Sequence, residues 1–396
     1  MAKIAFFCIP AHGHTNPTLA VVRALTAQGH VVRYYSYAPF REKIEAVGAE
    51  FVDCGIVSAD HAPTPEAAAK VGSALGVSIR LLVDTTLALD TFVCESLRLW
   101  RPDCVVADSM AVWGRLAARK LNLPFVSSTT TFAFNRYSAK GMEQEKGQLW
   151  SLLRALPGIR RDVRRLRKSG YPIKSWLELI ANDNETDTIV YTSREFQPCA
   201  ETFSDRFAFV GPSIRQSGSR MPASDRPLVY ISMGTVVNRM PDFYRNCVAA
   251  FTDSPYEVLL SVGADSDIDA LGVLPDHITA EPFVDQIAVL KRAEVFLTHC
   301  GMNSVSEALY HGVPLVLFPQ TAEQHRVASR TAELGAGILL PDTRPETIRA
   351  MVDRVLADRG YADRAAEIAA GFRAAGGAPA AAEFILKKCK KQERIG

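Results

Sequence analysis

Residues 296–320, "FLTHCGMNSVSEALYHGVPLVLFPQ", set a histidine, a glycine and an asparagine between an apolar run and an amphipathic one. Residues 295–298 are β-branched and aromatic and read as the end of a buried strand. Ser304, Val305, Ser306 and Glu307 have the spacing of a capping box, so a helix is expected to start near Ser304 and stop near Gly312. Pro314 then introduces a second apolar strand at 315–318. In such a strand–loop–helix–strand unit the loop lies at a strand's carboxyl end and a helix's amino end. Unpaired N–H groups and the helix dipole suit that place to an anion, so a phosphate-bearing ligand is expected.

The same unit recurs along the chain. Residues 4–9 read as a strand, "PAHGHTN" (10–16) as a loop, and a helix follows with Asn16 as cap, Pro17 at its first position and Gly29 at its exit. Leu19, Val22 and Leu25 give that helix an apolar stripe, and "HVVRYYS" (30–36) is the next strand. Residues 103–109 and 124–129 read as strands with a helix at 110–120 between them. Residues 213–227, rich in Ser, Pro and Arg, read as a linker. The series then restarts with strand "LVYIS" (228–232), loop "MGTVVN" (233–238), a helix from about Pro241 and strand "YEVLLSV" (256–262). The expected fold is α/β, with two doubly wound Rossmann-like domains facing each other. Their expected limits are 1–212 and 228–375, with a final helix in 376–396 packing back toward the first domain.

At 396 residues the chain exceeds one ordinary core, and 48% apolar with 22% charged residues is the composition of a globular enzyme. A net charge of +2 gives no global field for nucleic acid. The eight cysteines show no metal or disulfide spacing, and reduced thiols in a cytoplasmic protein are expected. Residues 160–168 hold six basic residues in nine; a solvated helix face is expected there, rather than one that touches a membrane. "DSDID" (265–269) has the D-x-D spacing of some metal–nucleotide sites but sits in a polar loop, where chance acidic runs are common.

Four residues stand out chemically. His299, beside Gly301 and ahead of Asn303 and Ser304, suits a diphosphate contact. Glu307 has two readings, the acid of a capping box or an acceptor for both hydroxyls of a ribose. His14 lies in the equivalent loop of the first domain, where a neutral imidazole is suited to taking a proton from a hydroxyl. Asp108 ends a strand on the same edge, to orient that imidazole or to cap the next helix.

Taken together, Gln286, "HCGMNS" (299–304), Glu307, "GVPL" (312–315), Pro319 and "EQ" (323–324) resemble the donor-binding signature of the family-one UDP-dependent glycosyltransferases. "PAHGHTNP" is similar to the loop that carries the family's catalytic histidine, and "SMGT" (232–235) to its donor-phosphate loop. The wording of both ends resembles bacterial members that glycosylate macrolides, flavonoids and other small aglycones. The resemblance implies the GT-B architecture, with His14 as general base and Asp108 as its partner. It implies that Thr235, His299, Asn303 and Ser304 hold the diphosphate, with Gly301 giving it room, and that Glu307 holds the ribose. Gln286 and the backbone at Val284 would meet the base, and Glu323 and Gln324 the sugar. Thr130, Thr131 and Phe132 fall where members contact donor or acceptor.

This implies a UDP-sugar co-substrate, a phenolic or macrolide-like acceptor, no metal and no other cofactor. The expected reaction is inverting transfer of a hexose, glucose above others, to a small apolar aglycone. A sugar-nucleotide epimerase of the same architecture and a non-enzymatic nucleotide-sugar-binding regulator are the alternatives. Three departures from the plant pattern stand out: Phe283 and an interval from Gln286 to His299 two residues shorter, both at the base site, and Met302 in place of a plant Trp. Phe132, Phe134 and Trp150 are candidates for an apolar acceptor pocket or for plain core packing.

Overall fold

The computed structural model describes residues 1–55, 75–135, 137–138, 148–234, 239–264 and 266–390, the side chains of 148–152 and 390 excepted. The chain divides into two units, Met1–Ser213 with the segment from Gly376 onward, and Ile214–Ala375.

The first unit is built on seven parallel strands: β1 (Lys3–Phe7), β2 (Val31–Ser36), β3 (Glu50–Asp53), β4 (Cys104–Asp108), β5 (Phe125–Thr129), β6 (Thr188–Val190) and β7 (Phe207–Phe209). Their order is β3-β2-β1-β4-β5-β6-β7. The central strands are covered on both faces, so "KIAFF" and "CVVAD" are nearly unbroken apolar runs. Ile4 and Phe6 pack with Val21, Val22 and Leu25 of α1 (His12–Ala27), while Ala5 and Phe7 pack with Trp113 and Ala117 on the other side. Gly114 permits that second contact, because a Cβ there would lie 2.4 Å from the Phe7 ring.

The second unit has six parallel strands: β8 (Leu228–Ser232), β9 (Glu257–Ser261), β10 (Ile278–Glu281), β11 (Ala293–Thr298), β12 (Leu315–Leu317) and β13 (Gly337–Leu339). The order β10-β9-β8-β11-β12-β13 repeats that of the first sheet. In each, winding reverses between the first and fourth strands, and the loops leaving those two strands part to open a crevice at the carboxyl edge. Each unit is a Rossmann-like half.

Two helix starts differ from the sequence expectation. Helix α1 begins at His12 rather than after Asn16: extended Ala11 is the N-cap, and its carbonyl accepts N–H bonds from His14 (3.1 Å) and Thr15 (2.9 Å). Pro17 lies inside the helix, where it has no N–H to give the Gly13 carbonyl, and His14 stands in the first turn rather than in a loop. The helix after β11 spans Met302–Tyr310 with Gly301 as N-cap, so Ser304 and Glu307 form no capping box.

Segment 214–227 is fastened to the second unit. Arg215 and Ser217 both donate to the Asp285 carboxylate, and the Lys291 ammonium reaches the Ser217 carbonyl at 3.2 Å. The last helix (Gly377–Lys390) buries Ala381, Ala382, Ile385 and Cys389 in the core against α1, and Lys388 pairs with Asp187 at 2.7 Å. Residues 391–396, where the sequence places a charged tip, lie outside the described residues. Ile385→Ala is expected to cost about 2–5 kcal/mol in the stability of the first unit, read as a lowered denaturant midpoint.

Candidate active site

Residues from three strand ends meet at the crevice of the first sheet. His14 comes from the first turn of α1, Asp108 from the last position of β4 and Thr130 from the residue after β5. His14 Nδ1 lies 2.9 Å from Asp108 Oδ2 and 3.0 Å from Thr130 Oγ1. The Asp108 side chain is fully buried, and that of His14 is 19% exposed. The second carboxylate oxygen accepts the Met110 N–H at 2.9 Å, so Asp108 both braces the turn after β4 and faces the imidazole. An ionised carboxylate at Nδ1 keeps the proton on that nitrogen and leaves the basic lone pair on Nε2.

At the second crevice, His299 follows β11 and stands between two glycines. A Cβ on Gly234 would lie 2.5 Å from its ring, and one on Gly301 would lie 2.6 Å from Nε2. Gly301 has an ordinary φ of −61°, so the imidazole requires a glycine there, whatever room a ligand needs. Cys300 between them adopts φ +67°, a strained conformation for a side chain of its kind, held by bonds to Thr298. Burial drives the His299 imidazolium down, to about 4, with the Ser232 backbone offsetting part of that. Its Nδ1 is buried without a hydrogen-bond partner among the described residues. A neutral imidazole at the amino end of a helix can give an N–H to an anion.

Glu307 lies one turn into that helix, and its carboxylate accepts Gln286 Nε2 at 2.6 Å. Gln286 Oε1 in turn accepts the hydroxyl of buried Tyr230 at 3.1 Å. Burial raises the Glu307 pKa, and the Gln286 amide counters it. Gln286, expected at the nucleobase, is thus also the group that aims Glu307. Nearby, Phe283 is 64% exposed beside half-buried Val284.

Other candidates stand at helix starts and in loops. Gln324 closes a capping box with Thr321, its Oε1 accepting the N–H of Gln320 (2.7 Å) and Thr321 (3.1 Å), and Glu323 lies exposed in the same first turn. Asn303 and Ser304 are half-buried in the first turn after Gly301. Thr131 turns its hydroxyl to the Phe132 carbonyl at 3.4 Å, and the Phe132 and Phe196 rings lie tilted with centroids 5.7 Å apart. Asp267 accepts the N–H of Ala270 at 3.3 Å. Thr235, Asp265 and the side chain of Trp150 lie outside the described residues.

A family model described as erythromycin biosynthesis protein CIII-like, C-terminal domain, matches residues 245–390. The NDP-glycosyltransferase YjiC of Bacillus subtilis (strain 168) is 33% identical over 396 residues, spanning 98% of this chain and 97% of its own. The chain belongs to the family-one bacterial glycosyltransferases. Demethyllactenocin mycarosyltransferase of Streptomyces fradiae is 34% identical across 97% of the glycosyltransferase and 86% of its own length. The crystal structure of CalG4, the calicheamicin glycosyltransferase, is 31% identical, covers 99% of both chains and superimposes with a TM-score of 0.80. The two Rossmann-like halves of the glycosyltransferase are those of the GT-B fold.

Sequence reasoning missed Tyr230 and the Arg215–Asp285 clamp. Tyr230 sits in a buried strand stacked on Phe296 and reads as core; only its contact with Gln286 marks it. Two outcomes test the His299 site. Gly301→Ala should displace the imidazole and weaken binding of a nucleotide-sugar donor roughly tenfold by calorimetry while far-UV circular dichroism stays unchanged. The second concerns pH. Folded His299 titrates near 4 and the unfolded residue near 6.5, so unfolding takes up a proton between those values. The stability of the glycosyltransferase should therefore fall as pH drops through that window, and His299→Gln should reduce the slope of urea midpoint against pH.

Proposed function

We propose that the glycosyltransferase transfers a hexose, with UDP-glucose as the leading donor, to a hydroxyl of a small, largely apolar aglycone. The observation that carries this reading is the bond between His14 Nδ1 and the buried Asp108 carboxylate. It orients the ring and stabilises the imidazolium that forms when Nε2 takes the acceptor's proton. The acceptor oxygen then attacks the anomeric carbon as the bond to the diphosphate breaks. A single displacement inverts the anomeric centre and needs no covalent enzyme intermediate.

Negative charge grows on the leaving diphosphate as that bond lengthens. The amino end of helix Met302–Tyr310, the Asn303 and Ser304 positions and His299 are assigned to it, and Glu307 to the ribose hydroxyls. In this reading no metal is needed. The names of the relatives support small natural-product acceptors: one transfers mycarose to demethyllactenocin, another is an oleandomycin glycosyltransferase.

His14→Ala should lose about 10²–10⁴-fold in rate toward alcohols and phenols while UDP affinity survives. Across phenols of falling pKa the variant should recover most with those that ionise unaided. A uniform loss, or lost UDP binding, would remove His14 from the role of base. Excess chelator should leave most of the wild-type rate. Glu307→Ala should raise the donor KM more than it lowers kcat, with thermal stability measured in parallel.

A further inference from the structure

The helix Gln148–Lys168 buries one side through Ile159, Val163 and Leu166. An ordinary solvated helix mixes carboxylates among its cations. Here the only carboxylate of the helix, Asp162, is 2% exposed and turned inward. Two of the cations are engaged: Arg165 pairs with Asp84 at 2.6 Å, and Arg167 donates to the Ile173 carbonyl at 2.9 Å. Arg160, Arg161, Arg164 and Lys168, with Lys174 just beyond, are exposed and have no acidic partner among the described residues. Arg160, Arg164, Arg167 and Lys174 line, with Ser175 and Trp176, one open cavity of about 330 Å³.

Apolar groups stand at the same surface. Leu153, two helical turns before Arg160 and so on its face, is 48% exposed. Leu177, next to Trp176, is 50% exposed. Cations around a cavity recognise phosphate, and half-exposed leucines, one on the helix that lines it and one next in sequence to Trp176, recognise hydrocarbon. An acidic phospholipid bilayer offers both at once, head-group phosphates outside and acyl chains beneath. A nucleic acid or an acidic protein surface would match the cations and leave the leucines unused. No helix among the described residues is long and apolar enough to cross a membrane, so this contact is peripheral.

We propose that this face, Arg160, Arg164, Arg167 and Lys174 with Leu153 and Leu177, docks the glycosyltransferase on an anionic phospholipid bilayer. The inference rests on this face alone and is independent of the donor and acceptor assigned above. It goes beyond the solvated face expected from sequence: the cations are exposed as expected, and the structure adds the inward carboxylate and the exposed leucines.

The test is flotation of the full chain with vesicles of phosphatidylcholine alone or mixed in equal parts with phosphatidylglycerol. Binding is expected only to the mixed vesicles and should weaken with added NaCl. Arg160→Ser, Arg164→Ser and Lys174→Ser together should lower partitioning roughly a hundredfold. Leu153→Ser with Leu177→Ser should lower it roughly tenfold. Both variants should glycosylate a water-soluble acceptor at the wild-type rate, which controls for folding. Absence of binding to the mixed vesicles overturns the proposal. So does full binding by the leucine variant, or competition by inorganic phosphate at matched ionic strength; either would make the face a site for soluble anions.

Discussion

Two neighbouring strands can run parallel only if the chain crosses back over the sheet between them, and the crossover is right-handed almost without exception. Every strand pairing in both units is parallel, and the placement of their chemistry follows from that. Every strand exit and the following helix start fall on the same edge. In the order 3-2-1-4-5-6, the crossovers from strands one and four go to opposite faces, so each sheet has one place where two exits part. His14 and Asp108 are 94 residues apart in sequence and 2.9 Å apart in space because β1 and β4 are neighbours there. Gly234 and His299 meet in the second unit for the same reason, from the exits of β8 and β11.

The two histidines are treated in opposite ways. His14 is given a buried carboxylate, which fixes the orientation and tautomer of the ring. His299 is given glycine backbone and burial, which disfavour charge. The first environment suits proton transfer and the second suits a ring that stays neutral until an anion arrives beside it. The strain at Cys300 lies in the turn that delivers the second ring.

Much of this was legible in the sequence because central parallel strands are apolar on both faces and stand out against polar exits. The helix starts were harder. Asn16-Pro17 is a stronger cap signal than Ala11, yet the chain turns into α1 at Ala11 with backbone bonds alone. At residues 304–307 the spacing is that of a capping box, but the Glu307 carboxylate is taken by Gln286, 21 residues earlier. Local spacing carries no information about such a partner. The same holds for Gly301: the motif suggests space for a ligand, and only the packed imidazole shows what a Cβ would strike first. Tyr230 carried no signal, since a tyrosine in a buried strand is ordinary core until its hydroxyl is located.

The last helix belongs to the first unit by its contacts, although it follows the whole of the second in sequence. The chain therefore passes between units twice, near residues 213–214 and 375–376, and the second unit is in effect an insertion within the first. A ribosome must complete all of Ile214–Ala375 before α1 can receive its last packing partner. Recombination is constrained likewise. Exchanging one half with a relative takes two junctions, and a single crossover would join α1 to a helix that had been selected against a different surface.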